Sequence, residues 1–253
     1  MGRIIAVASQ KGGVGKTTTV INLGACIAQE NRRVLLVDMD PQGNMSSGLG
    51  INGNDQRLTS YEVLIGHSDA KAAILPTALA TLDVLPTGQR LSGAEVELVG
   101  LMARETRLRT ALAAVRDDYD YILVDSPPSL GLLTLNSLTA ADSVIIPLQC
   151  EYLALEGLSQ IWKAILLVQE HLNPQLRLEG VLLTMYDSRV TLSKSVAEDA
   201  RKMFSDRVYK SVIPRNVKLS EAPSHGKPIV LYDPHCAGAD SYRDLAREFL
   251  EHD

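Results

Sequence analysis

Apolar residues fall along this chain in short unbroken runs, separated by longer stretches with helical spacing. The runs are Ile4-Ile5-Ala6-Val7-Ala8, Val34-Leu35-Leu36-Val37, Tyr121-Ile122-Leu123-Val124 and Val144-Ile145-Ile146. Apolar runs without polar alternation suit strands covered on both faces, as in a parallel sheet. Residues 82–86 and 178–185 read the same way, and 208–214 reads as extended chain. Between the runs the spacing predicts helices over 16–29, 60–65, 92–115, 130–140, 153–172, 189–204 and 237–251. Thr59 or Ser60 starts the second of these. Gly48, Gly50 and Gly53 with their neighbouring asparagines make most of 45–80 loop, and 221–228 is a turn-rich loop. This alternation predicts an α/β chain: one doubly wound, mostly parallel sheet flanked by helices, spanning 1–253 as a single domain.

Composition narrows the class. Hydrophobic residues make up 45% of the chain but aromatic ones only 4%, so the core must be aliphatic. The formal net charge of −5 argues against a protein that is basic all over. Cys26, Cys150 and Cys236 lie far apart without a Cys-x-x-Cys pair, and the five histidines are scattered. That spacing fits a reduced, cytoplasmic chain better than a disulfide, zinc or iron–sulfur framework. No apolar stretch nears the ~20 residues a membrane-spanning helix needs, and no secretory leader is expected.

The candidate chemistry begins where the first run ends. Ser9-Gln10-Lys11-Gly12-Gly13-Val14-Gly15-Lys16-Thr17-Thr18-Thr19 stands between a predicted strand and a predicted helix. That is the setting of a phosphate-binding loop, whose backbone N–H groups at a helix N-terminus can wrap a nucleotide's phosphates. Lys16 would neutralise phosphate oxygens, and the Thr17 hydroxyl would join a Mg²⁺ shell. The usual pattern has glycine where this chain has Gln10, and a second lysine, Lys11, follows.

Two more acids end predicted strands, where open α/β sheets bind ligands. Asp125 closes Ile122-Leu123-Val124-Asp125 ahead of Ser126-Pro127-Pro128. It fits a metal-holding aspartate opposite Thr17; the plainer reading is an acid that starts the proline turn. Asp38 and Asp40 flank Met39. A carboxylate at Asp40 could orient a water near the last phosphate. Asp38 either supports the site from behind or caps its strand.

Lys11-Gly-Gly-Val-Gly-Lys-Thr-Thr-Thr resembles the deviant Walker A loop of the ParA/MinD ATPases. Further blocks resemble the chromosomal ParA group, often called Soj: Val37–Asn44, 122–129, 146–158, 184–189 and 212–229. They span nearly the whole chain and resemble that group more closely than MinD, with Ser126 a small departure from the family's acid strand. The resemblance implies a P-loop ATPase that binds ATP or ADP with Mg²⁺, its cofactor contacts running over Lys11, Gly12, Gly13, Val14, Gly15, Lys16, Thr17 and Thr18. It assigns Asp40 to the attacking water, Thr17 and Asp125 to the metal, and Lys11 to the partner subunit's nucleotide. It implies that the Pro214–Asn216 loop lies against adenine, with Met185 a weaker candidate. ATP would then close a homodimer that binds nonspecific double-stranded DNA and hydrolyses ATP when a ParB-type protein stimulates it, on the nucleoid.

Charge is consistent with that expectation. Residues 186–230 carry nine Lys/Arg against five Asp/Glu, a local positive excess inside an acidic chain. Without the family this could equally be a scattered solvated face. The resemblance favours Arg189 and Lys218 as DNA-phosphate contacts. Two alternatives stay open: a MinD-like membrane-associated positioning ATPase, and a metabolic ligase on the same nucleotide core. The chain ends in an acidic segment that reads as integral to the fold, so stable membrane association is not expected.

Overall fold

The computed structural model describes residues 1–152 and 154–251. The first half comprises β1 (Arg3–Val7), α1 (Lys16–Gln29), β2 (Val34–Asp38), α2 (Asn44–Gly48), α3 (Ser60–Ile65), α4 (Ala70–Ala73), β3 (Leu75–Pro76), β4 (Leu82–Leu85), α5 (Leu91–Val99) and α6 (Arg107–Ala113). The second half comprises β5 (Tyr121–Asp125), α7 (Leu132–Ala140), β6 (Ser143–Gln149), α8 (Ala154–His171), β7 (Arg177–Tyr186), α9 (Thr191–Phe204), β8 (Ile213–Pro214), α10 (Val217–Glu221), α11 (Ile229–Tyr232) and α12 (Ala237–Glu251).

The strands form one eight-stranded sheet in the order β3-β4-β2-β5-β1-β6-β7-β8. Every pairing is parallel except β3 against β4. Side chains alternate between the two faces of a strand, so each apolar run feeds both layers. Ile4, Ala6, Leu35, Val37, Ile122 and Val124 join the core under α3 and α5–α9. Ile5, Val7, Val34, Leu36, Leu123 and Ile145 join the core under α1, α11 and α12. The doubly wound, mostly parallel sheet read from the sequence is the sheet observed.

β1 lies at the centre with β5 on one side and β6 on the other. The chain reverses its winding there, which opens a crevice at the strands' C-terminal ends. In register, Val7 sits beside Asp125, and Asp125 beside Asp38. The phosphate loop and both buried acids therefore share one edge of the crevice.

The structure corrects several boundaries. The helix expected over 92–115 is two, α5 and α6, and the chain between them passes through Ala103 at φ 52°. Of the apolar residues in this stretch, Val96 is 78% and Met102 91% exposed, and Val99 also faces solvent. Within 45–80, α2, α4 and β3 form, each too short for periodicity to reveal. The 221–228 loop is instead the end of α10 and a 3₁₀ turn at Ala222–His225. Of 208–214, only Ile213–Pro214 is strand, with one bridge from Val208 to Val181. Leu153, placed at the start of the helix now seen as α8, lies outside the described residues, as do His252 and Asp253.

Candidate nucleotide site

The loop between β1 and α1 folds as it does because of its glycines. Gly13 and Gly15 adopt φ of 74° and 90°, which side-chain-bearing residues rarely take. Gly15 is the N-cap of α1 and offers no side chain, so the helix N-terminus stays open towards the crevice. The Thr184 hydroxyl, from the end of β7, donates to the Val14 carbonyl at 2.8 Å and fastens the loop from behind. Sequence reading missed that buttress because no spacing rule connects residues so far apart.

The crevice is a cleft of about 640 Å³. Gly12, Gly13, Gly15, Lys16, Thr17 and Thr18 line it, facing Asp40. Lys16 is buried, and its Nζ donates to the Lys11 carbonyl at 3.3 Å. Burial lowers the Lys16 pKa, opposed by the negative charges of Asp125 and Asp40.

Asp125 is fully buried, and its Oδ2 accepts the Thr17 hydroxyl at 2.7 Å. Its Oδ1 is buried without a hydrogen-bond partner. An orphaned carboxylate oxygen beside a threonine hydroxyl is the donor set a hydrated Mg²⁺ requires, so these residues fit that ion. Burial pushes the Asp125 carboxyl well above its ordinary range, and the neighbouring Asp38 charge adds to this; the Thr17 hydrogen bond opposes it. A divalent cation would reverse that balance and hold Asp125 ionised.

Asp40 occupies the opposite wall. Its Oδ1 accepts the Gln42 N–H at 3.0 Å and its carbonyl accepts the Gly43 N–H at 2.9 Å, so a tight turn aims the carboxylate. Asp38 does not line the cleft. It is fully buried and accepts the Ser46 N–H at 2.9 Å and the Ser46 hydroxyl at 2.7 Å, with the Asp40 N–H at 3.2 Å. Burial raises its pKa to about 6, against the lowering effect of these hydrogen bonds. Asp38 thus ties down the chain that follows its strand, a role compatible with both readings of it.

Lys11 stands apart from its own cleft. It is half-exposed, it lines a small depression with Pro147 and Gln149, and it has no side-chain partner among the described residues. Of the base-side candidates, Met185 lines the cleft at φ 49°, while Pro214 and Asn216 do not. Asn216 instead caps α10, its Oδ1 accepting the Lys218 N–H at 2.9 Å. Ile21, Asn22, Asn44, Ser47, Pro223 and Lys227 are among the other lining residues. Nothing in their spacing marks them as cleft residues.

The basic segment is not one surface. Arg189 is 88% exposed and forms a bidentate pair with Asp187. Lys218 pairs with Glu221 at 2.9 Å. Arg201, Arg207 and Lys210 line a separate groove with Arg3 and Arg177, at the strands' N-terminal ends. Arg215 is paired with Glu151.

No group of His, Cys, Asp and Glu that could hold a metal ion by itself is found among the described residues, and their three cysteines are free. None of the described helices is long and apolar enough to cross a membrane.

Comparison with known proteins agrees with this geometry. A family model described as an AAA domain matches residues 2–178. The chain is 60% identical over 248 residues to the sporulation initiation inhibitor protein Soj of Bacillus subtilis (strain 168), covering 98% of each. It is 51% identical over 253 residues to the chromosome-partitioning ATPase Soj of Treponema pallidum (strain Nichols), covering 100% of this chain and 99% of the other. Among solved structures it is similar to a cobyrinic acid a,c-diamide synthase from Mycobacterium smegmatis with bound ATP analog and magnesium. The TM-score is 0.88 and the identity 42%, over 100% of this chain and 96% of the other.

Proposed function

The chain belongs to the ParA/Soj family of chromosome-partitioning ATPases, and on that premise we propose that residues 1–253 form one P-loop ATPase domain that converts ATP binding into a DNA-holding dimer. It binds ATP with Mg²⁺, pairs with a second copy, holds double-stranded DNA without sequence preference, and hydrolyses ATP when a ParB-type protein stimulates it. The ADP form then lets go. The expected location is the cytoplasm, on the nucleoid.

The observation that carries this reading is that Thr17 and Asp40 line one cleft, with the buried Asp125 bonded to Thr17 behind it, while Lys11 stays outside. Lys16 and the backbone N–H groups of 12–18 bind the phosphates of their own nucleotide. Thr17 and Asp125 would hold Mg²⁺, which when bound would neutralise charge on the phosphate oxygens. Asp40, fixed by the turn at Gln42, orients the attacking water and accepts its proton. Lys11 reaches the partner's nucleotide and stabilises the charge that develops on its phosphates, as an arginine finger does. Two copies then share each γ-phosphate, which gives ATP and ADP different affinities for the dimer.

Met185 is the base-side residue with cleft geometry behind it. Pro214 and Asn216 are assigned to adenine by family pattern. Arg189 and Lys218 are the DNA contacts, although each faces an acid. Exposed ion pairs contribute only about 0–1 kcal/mol, so a DNA phosphate can displace Asp187 or Glu221 at little cost. The packing of α12 into the core weighs against α12 itself serving as a membrane-binding helix.

Light scattering of the Asp40→Ala variant tests the reading. With ATP and Mg²⁺ it should be a stable dimer, with ADP a monomer. A monomer under both conditions would refute it. Liposome cosedimentation with ATP but no DNA retention would favour the membrane alternative, and hydrolysis stimulated by a small carboxylic acid substrate alone would favour a ligase.

A further inference from the structure

One buried network remains unexplained by the roles above. The Asp38 carboxylate accepts three donors from the segment that follows it: Asp40 N–H, Ser46 N–H and Ser46 Oγ–H. The Ser46 oxygen in turn accepts the Thr87 N–H at 3.0 Å, from the loop after β4. Asp38, Ser46 and Thr87 are all buried. A hydroxyl that donates to a carboxylate and accepts from a backbone N–H has both capacities in use.

The topology gives this network its leverage. Asp40 is carried on the short excursion between β2 and α2. One end of that excursion is tied to Asp38 through the Asp40 N–H, and the other through Ser46. The Ser46–Thr87 bond then anchors the whole turn to the neighbouring strand β4, which pairs with β2 in register from Val34 to Val37. Asp40 itself touches none of these anchors through its own carboxylate, which is set by Gln42.

We propose that Ser46 is a positioning residue for hydrolysis: its hydroxyl, bridging Asp38 and the Thr87 N–H, holds the turn that aims Asp40 into the cleft. This rests on the proposed assignment of Asp40 to the attacking water. Ser46 touches no phosphate-binding group, so its loss misplaces Asp40 while leaving Lys16, Thr17 and the loop's N–H groups as they are. Misplacement by about 1 Å of a group that orients a reactant can cost about 10²-fold in rate.

The test compares the unaltered chain with Ser46→Ala, Ser46→Thr and the double variant Ser46→Ala/Asp40→Ala. Turnover is measured on duplex DNA at saturating ATP with a ParB-type protein added, and nucleotide affinity by titration with a fluorescent ATP analogue. Ser46→Ala should lower turnover about tenfold to a hundredfold with affinity changed less than about threefold. Ser46→Thr, which keeps the hydroxyl, should recover at least half the turnover. In the Asp40→Ala background, Ser46→Ala should lower turnover no further. A Ser46→Ala chain that hydrolyses at the unaltered rate would overturn the proposal. So would a parallel loss of affinity and turnover, or a Ser46→Thr chain no better than Ser46→Ala. Absence of hydrolysis by the unaltered chain would instead overturn the functional reading on which the proposal stands.

Discussion

Truncating Phe249 to alanine tests whether the last helix belongs to the core or merely lies on it. Phe249 is fully buried in the layer that contains α1. Its ring meets Tyr121 edge-on with centroids 5.4 Å apart, and the Arg3 guanidinium stands 5.5 Å over its face. Tyr121 and Arg3 begin β5 and β1, so one side chain joins the C-terminal helix to the two central strands. Phe→Ala in a core costs about 3–5 kcal/mol, counting the lost transfer energy and the cavity left behind. The aromatic pair and the cation contact are contained in that total rather than added to it. For a chain of this size each kcal/mol moves the midpoint by about 2–4 °C, so thermal unfolding should fall by about 6–20 °C. Phe249→Leu, which retains most of the volume, should cost less than about 1.5 kcal/mol. Urea midpoints and thermal scans of the three chains measure this. A cost below about 1 kcal/mol for Phe249→Ala would show that α12 is dispensable to the core. The membrane-helix alternative would then regain its footing.

The remaining predictions concern the site and its charges. Lys16→Ala should abolish nucleotide binding by calorimetry, because it removes the buried lysine of the loop and leaves Lys227 as the lysine among the described lining residues; affinity within about threefold of the unaltered chain would refute this. Arg189→Glu should abolish DNA retention while ATP-driven dimerisation persists, and stability should move by no more than about 0.5 kcal/mol because the side chain is 88% exposed. Loss of dimerisation and DNA binding together would make Arg189 structural. Asp38 has a folded pKa of about 6 against an unfolded value of 3.8. Between these values the unfolded state is ionised while the folded state keeps its proton, so this group's contribution to stability falls as pH rises through that window. Asp38→Asn should therefore gain stability relative to the nucleotide-free unaltered chain on going from pH of about 4 to about 7; urea midpoints that keep a constant difference would contradict the assignment.

Much of this molecule is legible in the sequence because its strands are buried on both faces. Unbroken aliphatic runs such as Val34–Asp38 and Tyr121–Asp125 have few other places to go, and the observed bounds of α1 and β2 match the reading. The phosphate loop is legible because glycine, lysine and hydroxyl must follow a fixed local order. What spacing does not reveal is long-range or very short. The Thr184 buttress on Val14 and the Ser46 bridge to Thr87 join segments whose proximity is decided by the sheet order. Gly100 and the left-handed Ala103 divide α5 from α6, and apolar periodicity cannot register that break. Of the apolar residues in that stretch, Val96, Val99 and Met102 are exposed. Net charge along the chain likewise concealed that the cations of 186–230 separate to two ends of the sheet, several of them facing acids.

The central claim is that a γ-phosphate makes this chain able to hold DNA. Retention on a long nonspecific duplex, measured with ATP, with ADP and without nucleotide, tests it most directly. The account predicts firm retention with ATP alone, weakening steeply as salt rises, because phosphate contacts release counterions. Equal retention in all three states, or none with ATP, would contradict it.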